Sequence, residues 1–263
     1  MTDQDLQLLL SNCIALESLK LVFALNLENV SIVGHTKLKH LNLTYLKADS
    51  IVIRDAISLV SFALHGVRDE CSLQLSNTPK LTELSFEELF PLNLLDALLT
   101  GMTSCMRDQL RTMHLSTRAD CIPEMYRELP WVDLVNIKHL ELSFYAMDMN
   151  PSSPYLLRNF FQLVRLIEAC RSLDKLVIKF AHILEYPKEA MLETYVGPRC
   201  ELSPKYLEIS RYFGTPSQLA FTSYLIDNAI SLQKVTVVAR NAWESACARR
   251  DFQHIASVSF LDM

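Results

Sequence analysis

The most constraining feature of this sequence is a spacing of apolar residues that recurs every 21 or 22 positions. In each recurrence, the second apolar residue lies three positions after the first, and the third lies two positions after the second. The pattern occupies Leu16-Leu19-Leu21, Leu38-Leu41-Leu43, Leu59-Phe62-Leu64 and Leu81-Leu84-Phe86. A shorter alternation of the same period lies between these sites, at Val30-Ile32, Ile51-Ile53 and Leu73-Leu75. Two series that repeat in step predict a repetitive architecture.

A coiled coil is the first alternative, since a period of about 21 residues equals three heptads. It fails because the offsets map onto heptad positions a, d and f, and position f faces away from the seam. The same offsets describe a turn residue followed by a strand with two side chains on one face. One such coil cannot bury its own apolar face, so neighbouring coils must stack. We therefore predict an α/β leucine-rich-repeat solenoid with a parallel, horseshoe-shaped β-sheet.

The pattern continues at wider spacing toward the C-terminus, at Leu110-Met113-Leu115, Ile137-Leu140-Leu142, Leu173-Leu176-Ile178, Leu207-Ile209 and Leu232-Val235-Val237. Helical periodicity in the intervening residues predicts helices over 92–106 and 154–171. Thr215 and Gln218 around a proline predict a capped helix that ends near residue 230, and Asn241 and Glu244 predict another short helix. We therefore expect β-β coils in the N-terminal part and β-α coils afterwards.

An end coil of a repeat array lacks one stacking neighbour, so one side of it must be covered in another way or remain exposed. The segment Asp3–Ser11 precedes the first coil. We expect this segment either to form a short capping helix or to leave a hydrophobic edge exposed.

Two stretches are similar to one known family. Residues 9–19, LLSNCIALESL, resemble the phrase that opens the repeat region of plant F-box proteins with leucine-rich repeats, with Ile14 where proline is usual. Residues 206–237 resemble the FBD module of that family, in which a strand, a glycine turn, a helix and another strand follow one another. The resemblance implies a solenoid over residues 1–200, with FBD-like C-terminal repeats and a cap over 201–263 that are continuous with it.

The resemblance further implies the substrate-recognition region of an SCF-type ubiquitin ligase. An F-box would precede the repeats and bind the Skp adaptor, and through it the cullin. Only fifteen residues precede Leu16, so we expect no F-box within these 263 residues and expect adaptor and cullin as partners only if one lies upstream. The alternative is a stand-alone scaffold or decoy, which binds the same protein substrate without recruiting a ligase.

Charge and motifs argue against several other classes of function. With 25 Lys and Arg against 30 Asp and Glu, the net charge is −5, which favours neither nucleic acid nor anionic membranes. The five glycines form no phosphate-binding loop, and we expect no catalytic residues, cofactor or metal, and therefore no enzyme. Scattered cysteines without a disulfide or zinc spacing favour the cytoplasm or nucleus.

The histidines on or beside predicted strands (His40, His65, His114 and His139) could form a titratable or metal-binding column. Their offsets within the strands differ, which favours ordinary polar positions. Aromatic residues are interpreted as core rather than as a binding box: Trp131, Trp243 and the pair Phe160-Phe161.

Protein binding is the best-supported use of this architecture, because solenoids bind partners on their extended strand surface. Side chains that flank the inward leucines point to the concave face. The predicted contact residues are Lys20, Val22, Asn42, Thr44, His65, Ser85, Glu87, His114, Glu141 and Lys175. Ser116 and Lys179 belong to the same series.

Overall fold

Short strands occur at each of the predicted repeats. The computed structural model describes residues 1–67, 71–87, 101–118, 133–145, 160–161, 163–181, 201–255 and 257–262. They divide into two compact units, Met1–Thr117 and Arg118–Met263. The predicted helix over 92–106 lies mostly outside the described residues, as does the first half of the helix predicted over 154–171.

The first unit contains two sets of parallel strands that alternate along the chain. One set, in hydrogen-bonding order, is β1 (Ser18–Val22), β3 (His40–Thr44), β5 (Ser61–His65), β7 (Glu83–Glu87) and β8 (Thr112–Arg118). The other is β2 (Asn29–Val33), β4 (Ser50–Arg54) and β6 (Ser72–Ser76). Helix α1 (Asp3–Asn12) precedes them and helix α2 (Ser104–Arg107) precedes β8. The predicted β-β coils of the N-terminal part are confirmed.

The apolar series forms the core of this unit. Leu41 pairs in register with Phe62, and Leu43 with Leu64, and all four side chains are buried. The strands β2, β4 and β6 form what we call the second sheet, and their alternating apolar residues are buried in the same way. Full burial of each such side chain stabilises the fold by about 1.5–3 kcal/mol, and stacked coils bury what a single coil would expose.

Each coil turns through a residue in the left-handed region of backbone space. In the second sheet this position is filled by Gly34, Asp55 and Asn77, with φ values of 75°, 59° and 50°. Glycine, aspartate and asparagine adopt this conformation at the least cost. The Asn77 side chain also donates a 2.7 Å hydrogen bond to Asp55, which links adjacent turns.

Helix α1 closes the open edge of the second sheet. It begins with a capping box between Thr2 and Asp5. The two carboxylate oxygens of Asp3 accept hydrogen bonds of 3.0 Å from the backbone N–H groups of Glu28 and Asn29, at the start of β2. The Gln7 amide donates to the Ser31 carbonyl, at 2.8 Å. The capping helix expected over Asp3–Ser11 is therefore present.

The second unit contains one set of parallel strands with helices between them. In hydrogen-bonding order the strands are β9 (His139–Tyr145), β10 (Lys175–Ala181), β11 (Tyr206–Ser210), β12 (Lys234–Ala239) and β13 (Val258–Asp262). The helices are α3 (Val164–Ala169), α4 (Pro216–Asn228) and α5 (Ala242–Phe252). The predicted β-α coils are confirmed, and β13 is a strand that the sequence pattern did not predict.

Aromatic side chains fill the core of the second unit. Phe144 packs against Phe160, Phe180 and Phe221, with ring centroids 4.8, 6.0 and 5.9 Å away. The prediction that Phe160 and Phe161 are core residues is confirmed by their burial. The same prediction for Trp243 is wrong, because its side chain is 64% exposed on the outer side of α5. Trp131 lies outside the described residues.

Helix α4 begins as predicted but differs in one detail of its cap. The Thr215 hydroxyl accepts a hydrogen bond from the Gln218 backbone N–H, at 3.3 Å. The Gln218 side chain does not return to Thr215 as a capping box requires; it accepts from the backbone N–H of Phe213, at 2.9 Å. This longer reach secures the turn that connects β11 to the helix.

Helix α5 is fixed by a polar cluster in which Tyr212 and the Asp251 carboxylate are buried and Arg250 is exposed. The Tyr212 hydroxyl is buried and donates a 2.9 Å hydrogen bond to Asp251. The Arg250 guanidinium donates to both oxygens of the same carboxylate, at 2.6 and 2.8 Å. Because of this burial, and then of the hydrogen bond, the pKa of Tyr212 lies well above its ordinary value. A side chain at Gly214 would collide with Arg250, so the glycine leaves room for the cluster.

Candidate functional site

The side chains opposite the buried leucines form an exposed face on each unit, which we call the exposed strand face. In the first unit, parallel register aligns these side chains into rows that cross the strands. The middle row contains Lys20, Asn42, Ala63, Ser85 and His114, and the next row contains Val22, Thr44, His65 and Glu87. The predicted contact residues of this unit therefore lie side by side, although the side chain of Glu87 is outside the described part.

The middle row is polar and weakly charged. Lys20 is exposed and has no ion-pair partner among the described residues, whereas Asn42, Ser85 and His114 are half-buried. The imidazole Nε2 of His114 lies 3.8 Å from the carboxylate of Glu83, a residue of the neighbouring row. The prediction that Ser116 offers a contact is wrong, since its side chain is only 2% exposed.

The histidines of the first unit do not form a column. His40, His114 and His65 lie in the first, middle and last rows of the exposed strand face. His40 instead forms a 2.8 Å hydrogen bond with the Ser61 hydroxyl across the sheet. Within the described ranges, no three His, Cys, Asp or Glu side chains lie together as a potential metal site.

The exposed strand face of the second unit carries a different arrangement of charge. Lys175 and Lys179 flank Val177 on β10; Lys175 pairs with Glu208 at 2.7 Å and Lys179 with Glu141 at 2.5 Å. Val177, whose register neighbours are Glu141 and Glu208, is only 2% exposed although it lies on the outer side of the sheet. The predicted contact residues Glu141 and Lys175 are thus already engaged in ion pairs within the protein. Glu208 was not predicted, because pairs between strands depend on register and not on local sequence.

Two buried cysteines of the described region are poorly suited to thiol chemistry. Burial raises the pKa of the Cys170 thiol to about 12 and that of Cys71 to about 11. Such thiols remain protonated near neutral pH, and a protonated thiol is a weak nucleophile and metal ligand. The geometry therefore favours recognition by surface contacts.

Comparison with known protein families agrees with this architecture. Residues 1–259 match the family described as the At1g61320/AtMIF1 LRR domain. The chain belongs to this leucine-rich-repeat family. The match spans nearly the whole chain and explains the repeated strands of both units. No curated protein matches the chain.

Leucine-rich-repeat domains are typically non-catalytic, and repeat solenoids offer extended surfaces on which protein partners can bind. The family match supports the leucine-rich-repeat part of the resemblance noted from the sequence. Among the helices in the described ranges, none is long and apolar enough to span a membrane.

Proposed function

We propose that this chain is a protein-binding module that recognises its target on the exposed strand faces. The observation that carries the proposal is the alignment of polar side chains in rows over a fully buried core. Strand residues such as Asn42 and Ser85 are held by the sheet on both sides, so a partner meets a surface that is already ordered. Preorganised surfaces lose less conformational entropy on binding.

The charges of the second unit favour specificity over affinity. Glu141 and Lys175 are neutralised by partners within the protein, at 2.5 and 2.7 Å. A binding protein must match this alternation of charge or leave an ion pair desolvated without compensation. We infer a target whose surface is itself polar and mixed in charge.

We further propose that the module acts as the substrate receptor of an SCF-type ubiquitin ligase when it is joined to an F-box. The resemblance of residues 9–19 and 206–237 to plant F-box/FBD proteins supports this role. In the second unit, β11, the turn at Gly214, α4 and β12 follow one another in the order of an FBD module, with Gly214 at φ 68°. Under this proposal residues 201–263 continue the solenoid of residues 1–200, and the protein works in the cytoplasm or nucleus.

The alternative is a stand-alone scaffold or decoy that binds the same target without a ligase. A pull-down from plant extract distinguishes the two, with this chain and with the chain extended upstream to any F-box in its gene. Recovery of Skp adaptor and cullin by the extended form alone supports the receptor. Recovery by neither form contradicts the ligase role and favours the scaffold.

The binding surface itself is tested by substitution. Replacement of Lys20, Asn42 and Glu141 on the exposed strand faces should weaken target recovery, whereas Val52→Thr on the second sheet is the matched control. If the triple substitution recovers the target as well as the control does, binding on the exposed strand faces is refuted.

A further inference from the structure

The backbone of the first unit repeats one hydrogen-bonding unit at the start of each strand. In the sheet that contains β1, the Glu17 carbonyl accepts from the N–H groups of Lys39 and His40, at 2.8 and 3.1 Å. The carbonyls of Lys39, Val60 and Thr82 each accept in the same way from the next coil. We call this arrangement the backbone fork. Each coil therefore supplies an acceptor to the coil that follows it.

The first coil receives no such acceptor in this sheet. The N–H groups of Glu17 and Ser18, which correspond to the donors of the fork, have no acceptor among the described residues. In the second sheet the equivalent donors, Glu28 and Asn29, are bound by the Asp3 carboxylate. Helix α1 thus closes one sheet of the first coil and leaves the backbone edge of the other unpaired.

The open edge offers further strand-pairing groups. Phe23 donates its N–H to the Thr44 carbonyl of β3, at 2.9 Å. Because backbone groups alternate in direction along a strand, the N–H and C=O groups of Leu19 and Leu21 also face β3. The N–H and C=O groups of Ser18, Lys20 and Val22 consequently face away from β3. Unpaired groups of this kind form a template for another extended chain.

An aromatic column runs beside this edge and ends in an open position. The ring of Tyr45 lies against the backbone of Gly66, and the ring of Phe23 stacks on Tyr45 with centroids 4.8 Å apart and planes inclined by 12°. Both aromatic residues hold the left-handed conformation, at φ 53°, which is unfavourable for bulky side chains. Phe23 is 65% exposed, so one stacking position remains beyond it.

Charge and geometry indicate what kind of strand fits. Antiparallel pairing with a second copy that engages all three outward residues would place Lys20 opposite Lys20 and Phe23 opposite Glu17. Like charges in direct opposition destabilise a sheet, and that register leaves Phe23 without a ring to stack on. A parallel strand continues the existing order of the coils and brings its own post-strand residue over Phe23.

We propose that the open edge of β1 binds an extended segment of a partner protein, which adds as a parallel strand with an acidic side chain beside Lys20 and an aromatic ring stacked on Phe23. This site lies at the edge of the exposed strand face, with which it shares Lys20 and Val22, and does not depend on the ligase role. The partner supplies the carbonyl of the backbone fork and satisfies the Glu17 and Ser18 donors. The bound strand also covers Val22, which is 44% exposed.

The test uses the full chain and a peptide derived from its own second coil. The probe is the peptide of residues 36–47 with Asn42→Glu, which presents an acidic residue in the middle row and Tyr45 after the strand. The measurement is hydrogen exchange of individual backbone amides by NMR. We expect added peptide to slow exchange at Ser18, Lys20 and Val22, whose amides face the open edge.

Variants assign the contributions of each feature. Lys20→Pro removes an outward N–H, a change that edge strands tolerate, and should abolish the protection, whereas Lys20→Ala keeps it. Peptide with Tyr45→Ala, or chain with Phe23→Asn, should bind roughly 2- to 10-fold more weakly, as expected for loss of one aromatic stack. Peptide that retains Asn42 should bind up to about fivefold more weakly, because it lacks the charge opposite Lys20.

Two results would overturn the proposal. One is unchanged peptide binding by a Lys20→Pro chain whose thermal unfolding matches that of Lys20→Ala. The other is a dimer in sedimentation equilibrium that disappears in Lys20→Pro, which would make a second copy the occupant of the edge. Failure of the extract pull-down would leave both measurements unaffected, so this site and the proposed ligase role are tested independently.

Discussion

Removal of a single buried hydroxyl group tests how the last helix is held in the second unit. Tyr212→Phe deletes the 2.9 Å hydrogen bond to Asp251 and keeps the ring in its contact with Phe252, 4.9 Å between centroids. A hydrogen bond to a charged group contributes about 1.5–3 kcal/mol. Because Arg250 still binds both carboxylate oxygens, we expect the lower end, about 1.5 kcal/mol, and a fall in Tm of roughly 3–6 °C.

The pH dependence reports on the same buried phenol. Burial, and secondly the hydrogen bond to Asp251, raise the pKa of Tyr212 in the folded protein. A raised pKa means that folding favours the protonated phenol, so this contribution is complete below the ordinary pKa near 10 and is lost as pH rises above it. The stability difference between wild type and Tyr212→Phe should therefore shrink above about pH 10.

Urea unfolding followed by circular dichroism provides the measurement at each pH. Tyr206→Phe is the matched control, because that tyrosine is 45% exposed on the same unit and its substitution should change stability by less than about 0.5 kcal/mol. Equal losses for the two variants, or a difference that grows above pH 10, would refute the role assigned to the Tyr212 hydroxyl.

Three further predictions concern the turns, the cap and the thiols. Gly66→Ala should destabilise by at least about 2 kcal/mol more than Gly34→Ala in thermal unfolding; both have positive φ, but only Gly66 would place its Cβ against an aromatic ring, at 2.6 Å. Comparable losses would contradict the packing of that ring. Asp3→Ala should cost about 1–2 kcal/mol and speed hydrogen exchange at the two amides that its carboxylate binds. Unchanged exchange there would exclude the cap. Mass spectrometry after brief maleimide treatment of the native protein should find exposed Cys13 labelled and Cys170 unlabelled, since burial raises the Cys170 pKa to about 12. Early labelling of Cys170 would mean that the core of the second unit opens readily.

The architecture was predictable because the repeat is written in local spacing. Leu41 and Leu43 alternate with polar neighbours, and a strand with one buried face is the structure that satisfies this alternation. The cap of α4 was predictable at Thr215 for the same reason, since capping depends on residues a few positions apart. The reach of Gln218 to Phe213 was not, because it depends on how the preceding turn folds. The boundary between the units at Thr117 and Arg118 likewise has no counterpart in the repeat spacing.

The surface was predictable in position but not in its interactions. Alternation placed Lys20 and Glu141 on the outer side of their strands, as observed. The ion pair of Glu141 with Lys179 joins residues 38 positions apart, and only the strand register brings them together. Nor does local sequence indicate that Phe23 adopts positive φ, because aromatic residues disfavour that conformation and the stack on Tyr45 compensates for it.

The carboxylate of Asp3 imitates a peptide carbonyl. In the second sheet, the Glu28 carbonyl binds the N–H groups of Asp49 and Ser50, and the Asp49 carbonyl binds the N–H of Ser72. The Asp3 carboxylate takes the equivalent place for the first strand of that sheet. The side-chain amide of Asn29 adds a longer contact to the same carboxylate, at 3.4 Å, but the two 3.0 Å hydrogen bonds come from main-chain donors that every coil has. Duplication or deletion of a whole β-β coil would therefore leave α1 equivalent main-chain donors to bind, and the number of coils in this unit can change during evolution while that end of the second sheet stays closed.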